Sequence, residues 1–314
     1  MTANVGDITN RGVEITINAI PVRNEDWQWT SSLNLSHNSN RVKKLSNAAY
    51  SVSYQDLAYP WIAGNTGVAV QRLMEGSPIG QFYTYEFAGH DENGVSQFWV
   101  HDPVTGQRTG EKTIKPVEYR PHQDRFGTAK LTLGWNNTVS YKNWDLTLFF
   151  QGVFGNKIFN ALRAQYNSVT LITQGKNVFR EALTKQNFGD VNSQSPSDRY
   201  IENGSFLRLS SMSLSYDFGR LHGWVNNLSV YATCNNVFTL TSYKGCDPEV
   251  SLGGLTPRHR LAQGLLSPHP HVHARNEGQL LNRASPAKPL ASYTKLSQTL
   301  AQQAQRGLAR PKEA

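Results

Sequence analysis

No run of 18 apolar residues occurs in the sequence, which excludes a membrane-spanning helix and leaves a protein that crosses a bilayer with strands untouched. Cysteine is scarce: Cys234 and Cys246 make neither a zinc set nor a CxxC pair, and two thiols are preferred over a disulfide. The start, MTANVGDITNRGVEI, lacks the basic head and apolar core of a signal peptide, so either the protein is cytosolic or the beginning of the gene is missing. An excess of one charge is also missing from most of the chain. The net charge is +8, yet Leu255–Ala314 alone carries 9 Lys and Arg against 2 Asp and Glu, leaving 22 against 21 in residues 1–254. A nucleic-acid partner therefore has no support in the body. No Ser/His/Asp motif and no nucleotide-binding glycine pattern is present, so neither an enzyme nor a cofactor is expected.

What the body does contain is alternation. In NRGVEITINAIPV, Val13, Ile15, Ile17 and Ala19 share one face while Glu14, Thr16 and Asn18 take the other. After VRNED the pattern resumes with Trp27, Trp29, Leu33 and Leu35, which predicts an antiparallel hairpin. AKLTLGWNNTVSY and KNWDLTLFFQGVF form a second pair turned at YKN, and SFLRLSSMSLSYDF and WVNNLSVYATCNNVF a third turned at GRLHG. Six long strands follow, with a seventh expected around IGQFYTYEFAG and no helix required.

The connections are lopsided. Turns inside hairpins are tight, whereas the stretch from Ser46 to Pro78 and that from Asn156 to Asn203 are long and polar. Strands of about ten residues, one apolar and one Ser/Thr/Asn face, and short turns at one end only predict an all-β antiparallel segment of a transmembrane barrel. Its girdle aromatics would be Trp27, Trp144, Phe154, Trp224 and Phe238. The competing reading is a soluble or surface-attached β-rich glycan-binding module, whose strands would be shorter and whose apolar face would turn inward. Six to eight strands do not close a transporter-sized pore, so the barrel would be incomplete.

Several blocks carry a resemblance to a known family. NRGVEITINAIPVRNEDWQWTSSLNLSHNSNRV, GSPIGQFYTYEFAGHDENG, LGWNNTVSYKNWDLTLFFQGVFGNKIFN, YIENGSFLRLSSMSLSYDF and LSVYATCNNVFTLTSYKGCDPEV resemble, in order across residues 1–254, the C-terminal part of SusC/RagA-type TonB-dependent outer-membrane transporters of Bacteroidota. The resemblance implies a piece of a 22-stranded plugged barrel in the outer membrane, surrounded by outer-membrane lipid. It also implies import of oligosaccharides or peptides, a SusD-like surface lipoprotein as partner, and energy from the TonB complex through N-terminal parts that this sequence does not contain. A chain of this kind would not transport by itself.

The resemblance stops after Gly254. Residues 255–314 are expected to be a non-homologous, unstructured tail produced by a frameshift. Codons permitted for LSPHPHVHARNEGQLLN, read one nucleotide later from inside Leu266, yield YPRTRTYTLGMKVNF and then a stop, which is the type of last strand that the family carries. The alternating His269, His271 and His273 would otherwise suggest a metal site, since histidine is the commonest ligand. With no Asp, Cys or Glu partner before Glu277 and a frame-shifted origin, they are rejected as metal ligands.

Asp247 and Glu249 flank Pro248 in a turn, which argues against a catalytic pair. Asp91 and Asn93, with Asp102 beyond, have oxygen ligands at alternate positions but not the full calcium-loop pattern, so a solvated turn is expected. Tyr50, Tyr54, Tyr59, Trp61 and Tyr166 in the long connections are candidates for stacking on substrate, with packing inside the loops as the equal alternative.

Overall fold

The computed structural model describes residues 6–46, 51–184, 186–221, 225–249 and 271–280. Its main feature is a seven-stranded sheet in which chain order and spatial order coincide. The strands are β1 (Asp7–Arg23), β2 (Trp27–Lys44), β3 (Leu131–Tyr141), β4 (Trp144–Phe154), β5 (Phe206–Leu221), β6 (Val225–Thr241) and β7 (His271–Leu280). Pairing from β1 through β5 is antiparallel throughout, and the sheet runs from β1 to β7 without closing. By compactness the chain divides into Met1–Asp217 with Ser229–Asn276, and a smaller unit, Phe218–Leu228 with Glu277–Ala314. In the smaller unit, Phe218 and Leu221 of β5 are exposed.

Register converts the alternation into two faces. Ile17 lies opposite Leu33, Leu33 opposite Trp135, Trp135 opposite Phe150, and Phe150 opposite Leu209, giving one apolar row across five strands. Beside it run Thr30, Thr138, Thr147 and Ser213, a polar row on the opposite face. The polar face is knit by cross-strand hydrogen bonds: the Ser32 hydroxyl donates to Asn18 at 2.6 Å, Asn34 Nδ2 to Thr16 at 3.0 Å, and Thr138 and Thr147 hydroxyls meet at 3.3 Å. The apolar face projects bare side chains, with Val13 60%, Ile15 50% and Ile17 52% exposed. A sandwich would have buried that face. Within the apolar rows Asn137 is buried and accepts from the Trp29 indole at 3.1 Å, and its neighbour Ser31 accepts from the Trp135 indole at 2.9 Å.

Tight turns define one end of the sheet. Asn24 Oδ1 accepts from the Asp26 and Trp27 amides, an Asx turn that reverses the chain between β1 and β2. Lys142, at φ 53°, takes the left-handed conformation that a two-residue hairpin demands. Trp27 packs on Tyr141 at 4.3 Å between ring centroids, and Trp144 on Tyr216 at 4.6 Å, so aromatics gather at this end. Phe154 and Phe238 sit towards the other end of their strands, and Trp224 lies outside the described residues.

Two expectations need correction. The strand foreseen around Ile79–Gly89 is two short strands, Gln81–Tyr83 and Phe87–His90, which join different small sheets. The aromatic run there alternates, but Tyr85 pairs in parallel with Ser197 and redirects the chain. The long connections carry structure of their own. They contain three small sheets, a helix at Ala161–Tyr166 and three 3-10 turns. Within the segment expected to be an unstructured tail, His271–Leu280 departs from that expectation as strand β7 beside β6. Main-chain hydrogen bonding to an open strand edge does not depend on side-chain identity, which is why the side-chain pattern did not reveal it.

Candidate functional site

The ends of β2 and β4 and the starts of β3 and β5 lie at the end opposite the tight turns, and both long connections leave from there. They fold into a packed assembly. Ile62, Val70, Phe82, Phe159, Ala161, Ala164, Tyr200 and Ile201 form its buried cluster, drawn from both connections. The close approach at the root of the second connection requires glycine. A Cβ on Gly204 would stand 2.7 Å from Ile158 Cγ1 and would also collide with the Asn156 amide. Gly204→Ala is therefore expected to destabilise this junction by about 1–3 kcal/mol, seen as a lower denaturation midpoint of the intact protein. An unchanged midpoint would show that the junction yields freely.

Ionic contacts organise the polar part of the assembly. Arg163 grips Glu181 at 2.7 and 2.8 Å and Glu202 at 3.0 Å. Arg199 reaches Glu181 at 3.2 Å, Asn187 at 2.8 Å and Asp190 at 3.4 Å. Asp190 is fully buried and also accepts from the Ser96 amide at 2.8 Å and hydroxyl at 2.5 Å. Burial alone would push the Glu181 carboxyl up, but the hydrogen bonds and charges of Arg163 and Arg199 outweigh it and hold it below its ordinary range. Asp198 goes the other way: burial raises it, only partly offset by the Phe87 amide and Arg125.

The signs of these shifts predict opposite responses to acid. Glu181, depressed in the folded state, contributes stability above its unfolded value that is lost as pH falls through its folded value. Asp198, raised, contributes stability present below its unfolded value and lost as pH rises through the folded one. Wild type is expected to lose amide-exchange protection in the second connection as pH falls through the depressed range of Glu181, and Glu181→Gln is expected to remove that loss. Equal acid sensitivity in both would assign that loss to other carboxylates.

The sequence-derived candidates fall into different roles. Asp247 and Glu249 receive Arg208, at 2.7 and 3.0 Å, a buried arginine of β5, and Gln151 donates to Glu249 at 3.2 Å. The two carboxylates thus pin a turn onto the polar face of the sheet. Asp91 accepts from the Asn93 and Val95 amides and Asp102 from those of Val104 and Thr105, both closing turns with their own backbone. Among the described residues no group of three His, Cys, Asp or Glu side chains is arranged to hold a metal. His269 is outside the described residues, and His271 and His273 begin strand β7. Cys234 and Cys246 form no disulfide.

The loop aromatics separate as well. Tyr50 is outside the described residues. Tyr54 stacks on the Arg72 guanidinium at 3.7 Å, with Tyr83 on its far side at 3.8 Å and Asp56 holding its edge at 2.7 Å, so Tyr54 is a packing residue on that face. Tyr166 lines an apolar groove of about 450 Å³ with Leu162, Val178 and Phe179. Tyr59 and Trp61 are presented outward, Trp61 with 67% of its surface exposed. Trp61 and Ala58 both hold positive φ, 52° and 59°, a conformation that costs non-glycine residues about 1–3 kcal/mol. Buried Ile62 and the bonds Val70 N to Ala58 O and Ala63 N to Gln165 Oε1 lock the segment in place.

No protein-family model matches the chain. It is similar to the TonB-dependent receptor SusC of Bacteroides thetaiotaomicron, 29% identical over an alignment of 266 residues that covers 81% of this chain and 25% of SusC. It is also similar to TonB-dependent receptor P3 of Formosa agariphila, 28% identical over 79% of this chain and 26% of the receptor. The chain thus spans about a quarter of the length of the curated relatives it matches. Among solved structures, the RagAB peptide transporter aligns with a TM-score of 0.67 at 23% identity, over 87% of this chain and 29% of the transporter chain. That alignment shows a shared fold: antiparallel strands corresponding to part of a barrel.

Proposed function

We propose, from the match of most of this chain to part of SusC/RagA-type TonB-dependent receptors, that residues 1–254 are the C-terminal portion of the barrel of an outer-membrane importer. The observation that carries this reading is the two-faced sheet: apolar rows face outward as they would towards lipid, and hydrogen-bonded polar rows face a lumen. At 16 to 18 residues, β1, β2, β5 and β6 exceed the nine to eleven or so that a tilted spanning strand needs and reach beyond the bilayer, while β3 and β4, at 11, match it. The tight-turn end faces the periplasm and the packed loop assembly faces the outside.

In this reading the cargo is an oligosaccharide or peptide, a SusD-like lipoprotein covers the loop assembly, and the TonB complex drives uptake through parts of the protein other than this chain. The name of the RagAB peptide transporter supports the peptide arm for that relative. Tyr59 and Trp61, held outward on a strained and anchored segment, are the residues offered to cargo or lipoprotein. Tyr59→Ala with Trp61→Ala in the intact importer is expected to weaken that binding about tenfold, as loss of an exposed aromatic anchor does. The yield in the outer membrane should not change. Full retention of affinity would remove these residues from the site. A chain that stays monomeric without detergent and binds glycan would favour the soluble module.

Residues 255–314 are proposed to be a frameshift product in which Leu266–Asn282 covers the codons of the last barrel strand and the residues after Asn282 read past the true stop. The position of β7 beside β6 supports this reading, because a last strand would run there. DNA sequence across codons 240–285 tests it. A single-nucleotide correction should restore YPRTRTYTLGMKVNF, and an intact frame would refute it.

A further inference from the structure

We infer that the outer face of β1 and β2, at the end bearing the long connections, binds the phosphorylated headgroup of an outer-leaflet lipid. The inference rests on the outer-membrane reading above. In the register, Arg11 lies opposite Ser39, and Thr9 opposite Arg41, two and four residues along from Val13 on the same face. At about 3.3 Å per residue, the cations begin within about 7 Å of the apolar band formed by Val13, Ile15 and Ile17 with Leu33 and Leu35. The opposite face at this level is closed: Val42 is fully buried and bonded to Ser77 and Gly76, and Asn40 Oδ1 accepts from the Ile79 amide. Arg41 and Lys43, which alternate with those buried residues, are therefore turned away from the loop assembly and are exposed.

Thr9, Arg11, Ser39, Arg41 and Lys43 line one cavity of about 360 Å³. None of the three cations forms an ion pair among the described residues. The nearest carboxylate in the ladder, Asp7, stands opposite a fourth cation, Lys44. The tight-turn end differs, since Lys142 there is matched by Asp26 at 3.9 Å. An apolar band capped by three unmatched cations and two hydroxyls is complementary to a molecule with acyl chains below and phosphates above. Guanidinium groups pair with phosphate through two hydrogen bonds at once. In the outer leaflet of an outer membrane, that molecule is a phosphorylated lipid A.

The test uses the intact protein containing this chain, extracted from outer membranes in mild detergent and exchanged into nanodiscs. Binding of bis-phosphorylated lipid A is measured by native mass spectrometry, against dephosphorylated lipid A and against inorganic phosphate as competitor. The triple variant Arg11→Gln/Arg41→Gln/Lys43→Gln is expected to bind phosphorylated lipid A about a hundredfold more weakly than wild type, at about fivefold per basic residue. Dephosphorylated lipid A should bind wild type and variant alike, and inorganic phosphate should not displace the lipid. Should the triple variant fail to insert, Arg41→Gln alone is expected to give the single-residue loss. Equal retention by wild type and variant, or displacement by phosphate alone, overturns the inference and leaves the barrel reading standing. Failure of wild type itself to enter nanodiscs removes both.

Discussion

Phe150→Arg is expected to weaken the bilayer-inserted state of the intact protein by about 2–4 kcal/mol, the depth-dependent cost of a guanidinium on the lipid face of a barrel. Phe150 occupies the apolar row between Trp135 and Leu209, six residues along β4 from the tight turn at Trp144, and its ring stacks on Trp135 at 5.4 Å. Lost stacking contributes part of the effect, and Phe150→Ala measures that part. Thr147→Arg changes the neighbouring polar face, between Thr138 and Ser213, and is expected to cost less than about 1 kcal/mol because the charge meets water. Denaturant titration in liposomes separates the three. Equal costs for Phe150→Arg and Thr147→Arg would mean that the two faces share one environment.

The second large effect belongs to the loop assembly. Arg199→Ala leaves Asp190, fully buried, without its guanidinium, and strips one of two arginines from Glu181. Removing one partner of a buried pair costs about 3–5 kcal/mol, because the remaining charge stays out of water. The expected result is rapid amide exchange and protease cutting between Ala161 and Glu202, while the protein still inserts and the strands remain protected. His90, 3.6 Å from Asp190, does not compensate unless it takes a proton. Global loss of the barrel in this variant would contradict the separation of wall and loops. Unchanged protection would show that Asp190 is solvated by other means.

The wall was legible in the sequence and the loop assembly largely was not, for a physical reason. Period-two patterning is a local signal, so Val13, Ile15, Ile17, Leu133 and Trp135 declare their face wherever their partners lie. The six long strands, two of their turns and the lopsided connections followed from it. Arg163 reaches residues 18 and 39 positions away and Arg199 reaches Ser96 in the other connection, and no spacing rule predicts such contacts. The positive φ at Ala58 and Trp61 was equally silent, because nothing in YQDLAYPWI demands it. Asp247 and Glu249 read as a turn from Pro248 between them, but their partner Arg208 could be identified only once β5 was placed.

The measurement that bears most directly on the central claim is a spin-label scan of β4 from Asp145 to Val153 in the intact protein in liposomes, with Cys234 and Cys246 replaced by serine. Labels at positions 146, 148 and 150 should collide with lipid-dissolved oxygen, and those at 145, 147 and 151 with an aqueous nickel complex, out of phase along the strand. Two opposed oscillations of period two are the predicted result. Uniform aqueous access at every position would contradict a barrel wall and return the chain to a soluble β fold.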